Sequence, residues 1–168
     1  MKTIKKISIS LSIILLTLLV SRVNAQQAFN GIWTLKERTM IAGPDYANAI
    51  PKLINVSCTA DSISFSRTSI GQGTDVTTSQ TVSINSKPTM FHTAGNRKAN
   101  TVIVLTADKN GFTETTVYSK ENSDNEPEFQ TTEIWLLSAD SKLTIDRKFQ
   151  SLVNPEDKWE VKGVFEKQ

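Results

Sequence analysis

The sequence predicts an all-β fold, an antiparallel sheet of nine or ten strands closed into a barrel. Three observations carry that expectation. Residues 26–168 hold 18 Thr and 13 Ser, with few long stretches of strong helix formers. Short runs of β-branched and aromatic residues alternate with polar ones, the period-two pattern of a half-buried strand. Gly, Asn, Asp and Pro punctuate these runs at a spacing of roughly 8–12 residues, as in sandwiches and barrels. A barrel is favoured because closure removes the sheet edges.

The chain starts with Lys2, Lys5 and Lys6, then an apolar, uncharged run from Ile7 to Val20, then Val23-Asn24-Ala25. A basic start, a short apolar stretch and small residues at −3 and −1 describe a secretory signal peptide cleaved after Ala25. The run is shorter than the ~18 apolar residues expected of a spanning helix. Position 26 is Gln, so a lipoprotein cysteine is missing there. The expected organisation is a leader over 1–25 and one domain over 26–168, exported to the periplasm or secreted, with no integral membrane segment after cleavage.

The first strand spans Phe29 to Met40, with Phe29, Gly31, Trp33 and Leu35 on one face. After Gly43-Pro44-Asp45, Leu53–Thr59 and Ser62–Arg67 form a hairpin about Ala60-Asp61. Ile54, Val56 and Cys58 share a face of its first arm, Ile63 and Phe65 a face of the second. Gly71-Gln72-Gly73 breaks the chain before Asp75–Ile84, and Asn85-Ser86-Lys87-Pro88 leads to a short piece, Thr89–His92. Thr101–Thr106 is apolar on both faces and is expected to be central. The turn Asp108-Lys109-Asn110-Gly111, with Gly111 free to take a positive φ, precedes Phe112–Ser119. The loop Lys120–Glu128 leads to Phe129–Leu137, Ser138–Ser141 turns into Lys142–Gln150, and Asn154-Pro155 precedes Trp159–Phe165.

Charge narrows the function. The precursor has 19 basic and 17 acidic residues. Removing the leader takes Lys2, Lys5, Lys6 and Arg22 and no acid, leaving 15 against 17 over 143 residues. A slightly anionic chain without a Lys/Arg cluster lacks the footprint of a nucleic-acid binder. Its single Cys58 rules out an internal disulfide and fits a buried thiol.

Asn30-Gly31-Ile32-Trp33 on the first strand, the run Glu133-Ile134-Trp135-Leu136-Leu137-Ser138-Ala139-Asp140-Ser141-Lys142-Leu143-Thr144-Ile145, and Val164-Phe165-Glu166-Lys167 together resemble the small secreted bacterial lipocalin-like, calycin-type domains. Those begin on G-x-W and commonly close on W-x-L-S-x-D-G-K-x-L-T and V-[FY]-x-K. The resemblance implies an up-and-down barrel of about eight to ten strands around a cavity for small apolar ligands, with Gly31 and Trp33 structural. The chain departs from the pattern in having Ser141 where that family has Gly and a turn one residue shorter. It also has no disulfide and no Arg after the last strand to lie across Trp33.

Motifs of catalysis are missing: there is no Gly-x-Ser-x-Gly elbow, phosphate loop, dinucleotide fingerprint or zinc-protease helix. One His, His92, leaves no multi-His metal site. Composition leaves a Ser–His–acid triad open, but no motif selects a serine. The acids Glu121, Asp124, Glu126 and Glu128 lack calcium-loop order and are interrupted by Pro127, which favours a solvated loop. No catalytic residue, metal or cofactor is assigned, and an enzyme is not expected.

Arg147 is the informative residue, because it shares a strand face with Leu143, Ile145 and Phe149. Burying a guanidinium costs several kcal/mol unless it is paired. In one hairpin register Leu137 faces Leu143, Trp135 faces Ile145 and Glu133 faces Arg147; in the other, Thr132 lies opposite Arg147. Two roles follow. Arg147 is a lumen cation for the carboxylate of a fatty-acid-like ligand, with Glu133 beside it and Trp135, Phe65 and Tyr118 along the tail. Otherwise it closes the barrel end, its stem on Trp33 and its charge in water or on Glu133. The expected function is non-covalent binding of a small hydrophobic or amphipathic ligand. The alternative is a non-catalytic periplasmic interaction or structural module with a filled core and an unidentified protein partner; a hydrolase stands behind both.

Overall fold

The structure, a computed structural model, describes residues 26–85, 87–93, 95–107, 110–120 and 126–168. The expected leader lies outside the described residues, as do Asp108 and Lys109 of one turn and Glu121 and Asp124 of the acidic loop. Ten antiparallel strands form a nearly closed up-and-down barrel: β1 (Gly31–Ala42), β2 (Leu53–Cys58), β3 (Ser62–Gly71), β4 (Thr74–Ser83), β5 (Thr89–His92), β6 (Arg97–Leu105), β7 (Gly111–Lys120), β8 (Pro127–Leu137), β9 (Leu143–Ser151) and β10 (Lys158–Lys167). The hydrogen-bonded order is β4-β3-β2-β1-β10-β9-β8-β7-β6-β5. First and last strands therefore pair, and the seam falls mid-chain between β4 and β5, where the Ser83 amide donates to Thr89 Oγ1 at 3.1 Å.

Turn chemistry sets the hairpins. β2 and β3 meet about Ala60-Asp61, with Cys58 opposite Ile63. β3 and β4 close on Gln72 and Gly73, both at positive φ, which matches the right-handed twist of the arms. Between β8 and β9, Ala139-Asp140-Ser141 form a three-residue loop in which the Ser138 amide donates to the Lys142 carbonyl at 2.9 Å. Ser141 takes the left-handed conformation at φ 61°. That loop sets the even register: Leu137 faces Leu143, Trp135 faces Ile145 and Glu133 faces Arg147.

Period-two burial places one face of most strands inside, whereas β4 is exposed from Thr74 to Ser79 and buries Val82. Ile54, Val56 and Cys58 are buried, as are Ile63 and Phe65. The closed end, where β1 starts, is solid. Phe29, Phe65, Phe112 and Trp135 pack there with ring centroids 5.1–6.1 Å apart along their contacts. Trp33 is 1% exposed and its indole N–H donates to the Phe29 carbonyl at 2.7 Å. A side chain on Gly31, at φ 127°, would meet Lys167 Cε at 2.6 Å.

Two expectations about the strands are corrected. Thr101–Thr106 is not central: β6 lies next to the last strand before the seam, and Val104, on its outer face, is 54% exposed. Its two-sided apolar character reflects an uncovered outer face instead of burial on both sides. Gly111 does not take a positive φ. It is small because β8 approaches it closely: a Cβ there would sit 2.2 Å from the Trp135 carbonyl oxygen.

At the open end, the connection of residues 43–52 between β1 and β2 folds inward. Ala49 and Ile50 are each 2% exposed, and Ile50 Cδ1 packs against Gly163, where a Cβ would come within 2.5 Å. Arg38 anchors the connection by pairing with Asp45 and donating to the Tyr46 carbonyl at 2.7 Å.

Candidate functional site

Above the solid end, the interior carries a layer of charge. Glu114 on β7 lies directly opposite Glu133 on β8, and Glu133 directly opposite Arg147 on β9. From the other wall, β3 sends in Arg67, on the same face as Ile63 and Phe65. Arg67 Nη2 lies 2.5 Å from Glu114 Oε2 and 3.3 Å from Glu133 Oε2. Gln80 of β4 donates to Glu114 Oε1 at 2.7 Å, and the Trp135 indole N–H donates to Glu133 Oε2 at 2.9 Å. Arg147 Nε is 3.2 Å from Glu133 Oε1, while its Nη1 donates to the Ala49 carbonyl of the inward connection at 3.0 Å. Two guanidiniums thus face two carboxylates, a layer of zero formal charge.

The two carboxylates differ. Burial pushes both up, since it disfavours the charged form. At Glu133 the guanidiniums of Arg67 and Arg147 and the Trp135 indole outweigh burial and hold the carboxyl below its ordinary value. Glu114 has Arg67 and Gln80 on its side but Glu133 against it, and burial leaves its carboxyl raised. Burial also opposes the Arg67 charge, yet Glu114 and Glu133 more than compensate, so Arg67 stays protonated. Its guanidinium carbon lies 4.3 Å from the Phe65 ring centroid and 5.6 Å from that of Trp135, resting the layer on the aromatic core.

A cavity of about 520 Å³ opens above this layer, lined by Arg67, Glu114, Glu133 and Arg147 together with hydroxyl and amide side chains, and by Ile70, Val76 and Phe91 towards the mouth. Beside it a hollow of about 420 Å³ shares Asn48, Thr93, Tyr118, Thr131 and Arg147 and is walled by rings. The rings run across four strands. Tyr118 stacks on Phe129 at 4.4 Å, Phe129 contacts Phe149 at 5.3 Å, and Phe149 stacks on Trp159 at 5.5 Å. Tyr46 of the inward connection meets Trp159 edge-on.

The sequence-derived candidates divide between the layers. Arg147, Glu133 and Tyr118 are brought together and line the cavity. Trp135 and Phe65, expected along a ligand tail, are 0% and 2% exposed in the core beneath the charged layer. The Arg147 stem does not lie on Trp33; its guanidinium sits 5.7 Å from the Trp159 ring, because residue 147 is two turns of the pleat above the closed end. Lys167 places its ammonium 5.4 Å from the Trp33 ring centroid, a cation over that indole although no Arg follows the last strand. Arg67, Glu114 and Gln80 were missed. The alternation that singles out Arg147 also puts Arg67 beyond Phe65 and Glu114 beyond Phe112 on inward faces, so the signal for these two was present.

His92 is exposed at the rim of the same cavity as Ser69 and Ser79. Glu114 and Glu133, which line that cavity with it, are held by Arg67, Arg147, Gln80 and Trp135. Glu128 belongs to β8, where it pairs with Arg97 at 2.7 Å and Lys120 at 3.4 Å. Among the described residues no cluster of three or more His, Cys, Asp or Glu is placed to hold a metal, and no helix is long and apolar enough to cross a membrane. No known family profile matches the chain, and no curated protein matches it significantly.

Proposed function

We propose that this is an exported, lipocalin-like barrel that binds one small amphipathic molecule non-covalently, without catalysis. The polar end of that molecule rests on the Arg67–Glu114–Glu133–Arg147 layer and its apolar part lies along Tyr118, Phe129, Phe149 and Trp159. The observation that carries this reading is the cavity of about 520 Å³ over a charged floor, with the ring-walled hollow of about 420 Å³ beside it. Its size falls in the range of small-molecule sites, and convergent polar groups beside apolar walls are what fix a ligand's orientation. The residues that carry the family resemblance, Gly31, Trp33 and the β8–β9 hairpin, build the closed end that leaves the other end free to bind.

Native mass spectrometry of the protein purified from the compartment to which it is exported tests this directly. A retained molecule of a few hundred daltons, lost on denaturation, is the expected result. A bare polypeptide mass, together with no uptake of an amphipathic fluorescent probe, would overturn it. A second reading, a protein-interaction module, is favoured by the filled closed end and by Val104 and Leu136, exposed at 54% and 40% on the outer face of β6 and β8. Capture of a protein and not of a small molecule is the result that would select it.

A further inference from the structure

The charge arithmetic of the cavity floor carries a statement about ligand class, one that rests on the ligand-binding reading above. We propose that the site selects an electrically neutral head group carrying hydroxyls, on an aliphatic or ring-bearing body, and rejects carboxylates.

Each arginine in the floor already faces an acid. Arg67 is shared by Glu114 and Glu133, and Arg147 is held by Glu133 and the Ala49 carbonyl. A ligand carboxylate entering here becomes a third anion facing two cations. To take over the charge of either guanidinium it must displace Glu114 or Glu133, whose side chains are only 5% and 9% exposed and have little water to turn to. A bare ammonium head meets the mirror-image obstacle.

What the floor does offer is unused hydrogen-bonding capacity. Each ionised carboxylate has about four lone-pair sites. Glu114 uses one for Arg67 and one for Gln80. The acceptor sites left on Glu114, beside the hydroxyls of the walls, match hydroxyl groups, which donate and accept at once. The walls repeat that chemistry with Thr78, Ser79, Thr116 and Thr131. Above them the ring row from Tyr118 to Trp159 supplies apolar surface for the body.

The test is calorimetric binding of two probes with the same tail, 1-monodecanoylglycerol and decanoate, below their aggregation concentrations at pH 7.5, to the wild-type domain, Glu114→Gln and Arg147→Gln. The neutral glyceride should bind wild type at least tenfold more tightly than decanoate. Glu114→Gln leaves one uncompensated guanidinium and should shrink that ratio tenfold or more. Arg147→Gln leaves an excess carboxylate and should widen it, so one folded variant is enough to judge the charge rule. Decanoate binding wild type as tightly as the glyceride would overturn this inference while leaving the ligand-binding reading intact. A preference for the glyceride that neither variant moves would also overturn it, since the floor charge would not be its cause. Binding of neither probe would remove the ligand-binding reading itself and this inference with it.

Discussion

Replacing Glu133 by Ala tests whether the charged layer is a structural element as well as a binding floor. The carboxylate holds three groups: Arg67 at 3.3 Å, Arg147 at 3.2 Å and the Trp135 indole N–H at 2.9 Å. Removing one partner of a buried ion pair costs about 3–5 kcal/mol, because the remaining charge is stranded. Arg67 keeps Glu114, and the Arg147 side chain, 21% exposed, can regain water. Both place the loss at the lower end, about 3 kcal/mol, or about a 10 °C fall in melting temperature for a domain of this size. Glu133→Gln preserves an acceptor for Trp135 and should lose about 1–2 kcal/mol. Urea unfolding at pH 7 measures both. The pH dependence supplies a sign. Because Glu133 is held below its ordinary carboxyl value of 4.5, its stabilisation is present above that pH and is lost as the pH falls through its lower folded value. The gap between wild type and Glu133→Ala should therefore narrow in acid. A loss under about 1 kcal/mol at pH 7, with a gap that does not change on acidification, would show that these pairs behave like solvated surface pairs and would refute the buried-layer account.

Three further outcomes are expected. Trp33→Ala removes a side chain that is 1% exposed and leaves a cavity at the closed end, so unfolding should show a loss of about 3–5 kcal/mol; a melting temperature within a few degrees of wild type would contradict that packing. Ser141→Gly relieves a left-handed residue at φ 61° and should stabilise the β8–β9 hairpin by about 0.5–1 kcal/mol, read from the same urea curves; destabilisation would mean that the turn tolerates serine at no cost. Decanoate affinity should rise as the pH falls, because Glu114, its carboxyl raised, takes up a proton and leaves the floor one positive charge in excess. A decanoate affinity flat across pH 5–8 would dissociate Glu114 from ligand charge.

The thiol illustrates a property readable at both levels. A lone cysteine in a chain expected to be exported is expected to be buried, and Cys58 faces the core at the end of β2, where burial pushes its thiol up to about 11. Few such groups are so simple. Arg147 announces itself by sitting among Leu143, Ile145 and Phe149, and its cross-strand partner Glu133 follows once the hairpin register is known. Arg67 and Glu114 share the same inward signature. Knowing that each faces inward still does not say that they meet.

Alternation along each strand is a local property, because successive side chains point to opposite faces. The sequence by itself therefore determined that the chain is all-β, where nearly all of its ten strands lie, which faces of them are apolar, and that Ala60-Asp61, Gly71-Gln72-Gly73 and Ser138–Ser141 interrupt them. Only the tertiary structure decided what the residues on those faces touch. Arg67 reaches Glu114 across 47 positions of sequence and Glu133 across 66, and Arg147 reaches the Ala49 carbonyl across 98. These contacts depend on how far each strand is staggered when β1 pairs with β10 and the walls come to face one another. That stagger is a property of the closed barrel, and it set a charge-balanced layer above a filled core.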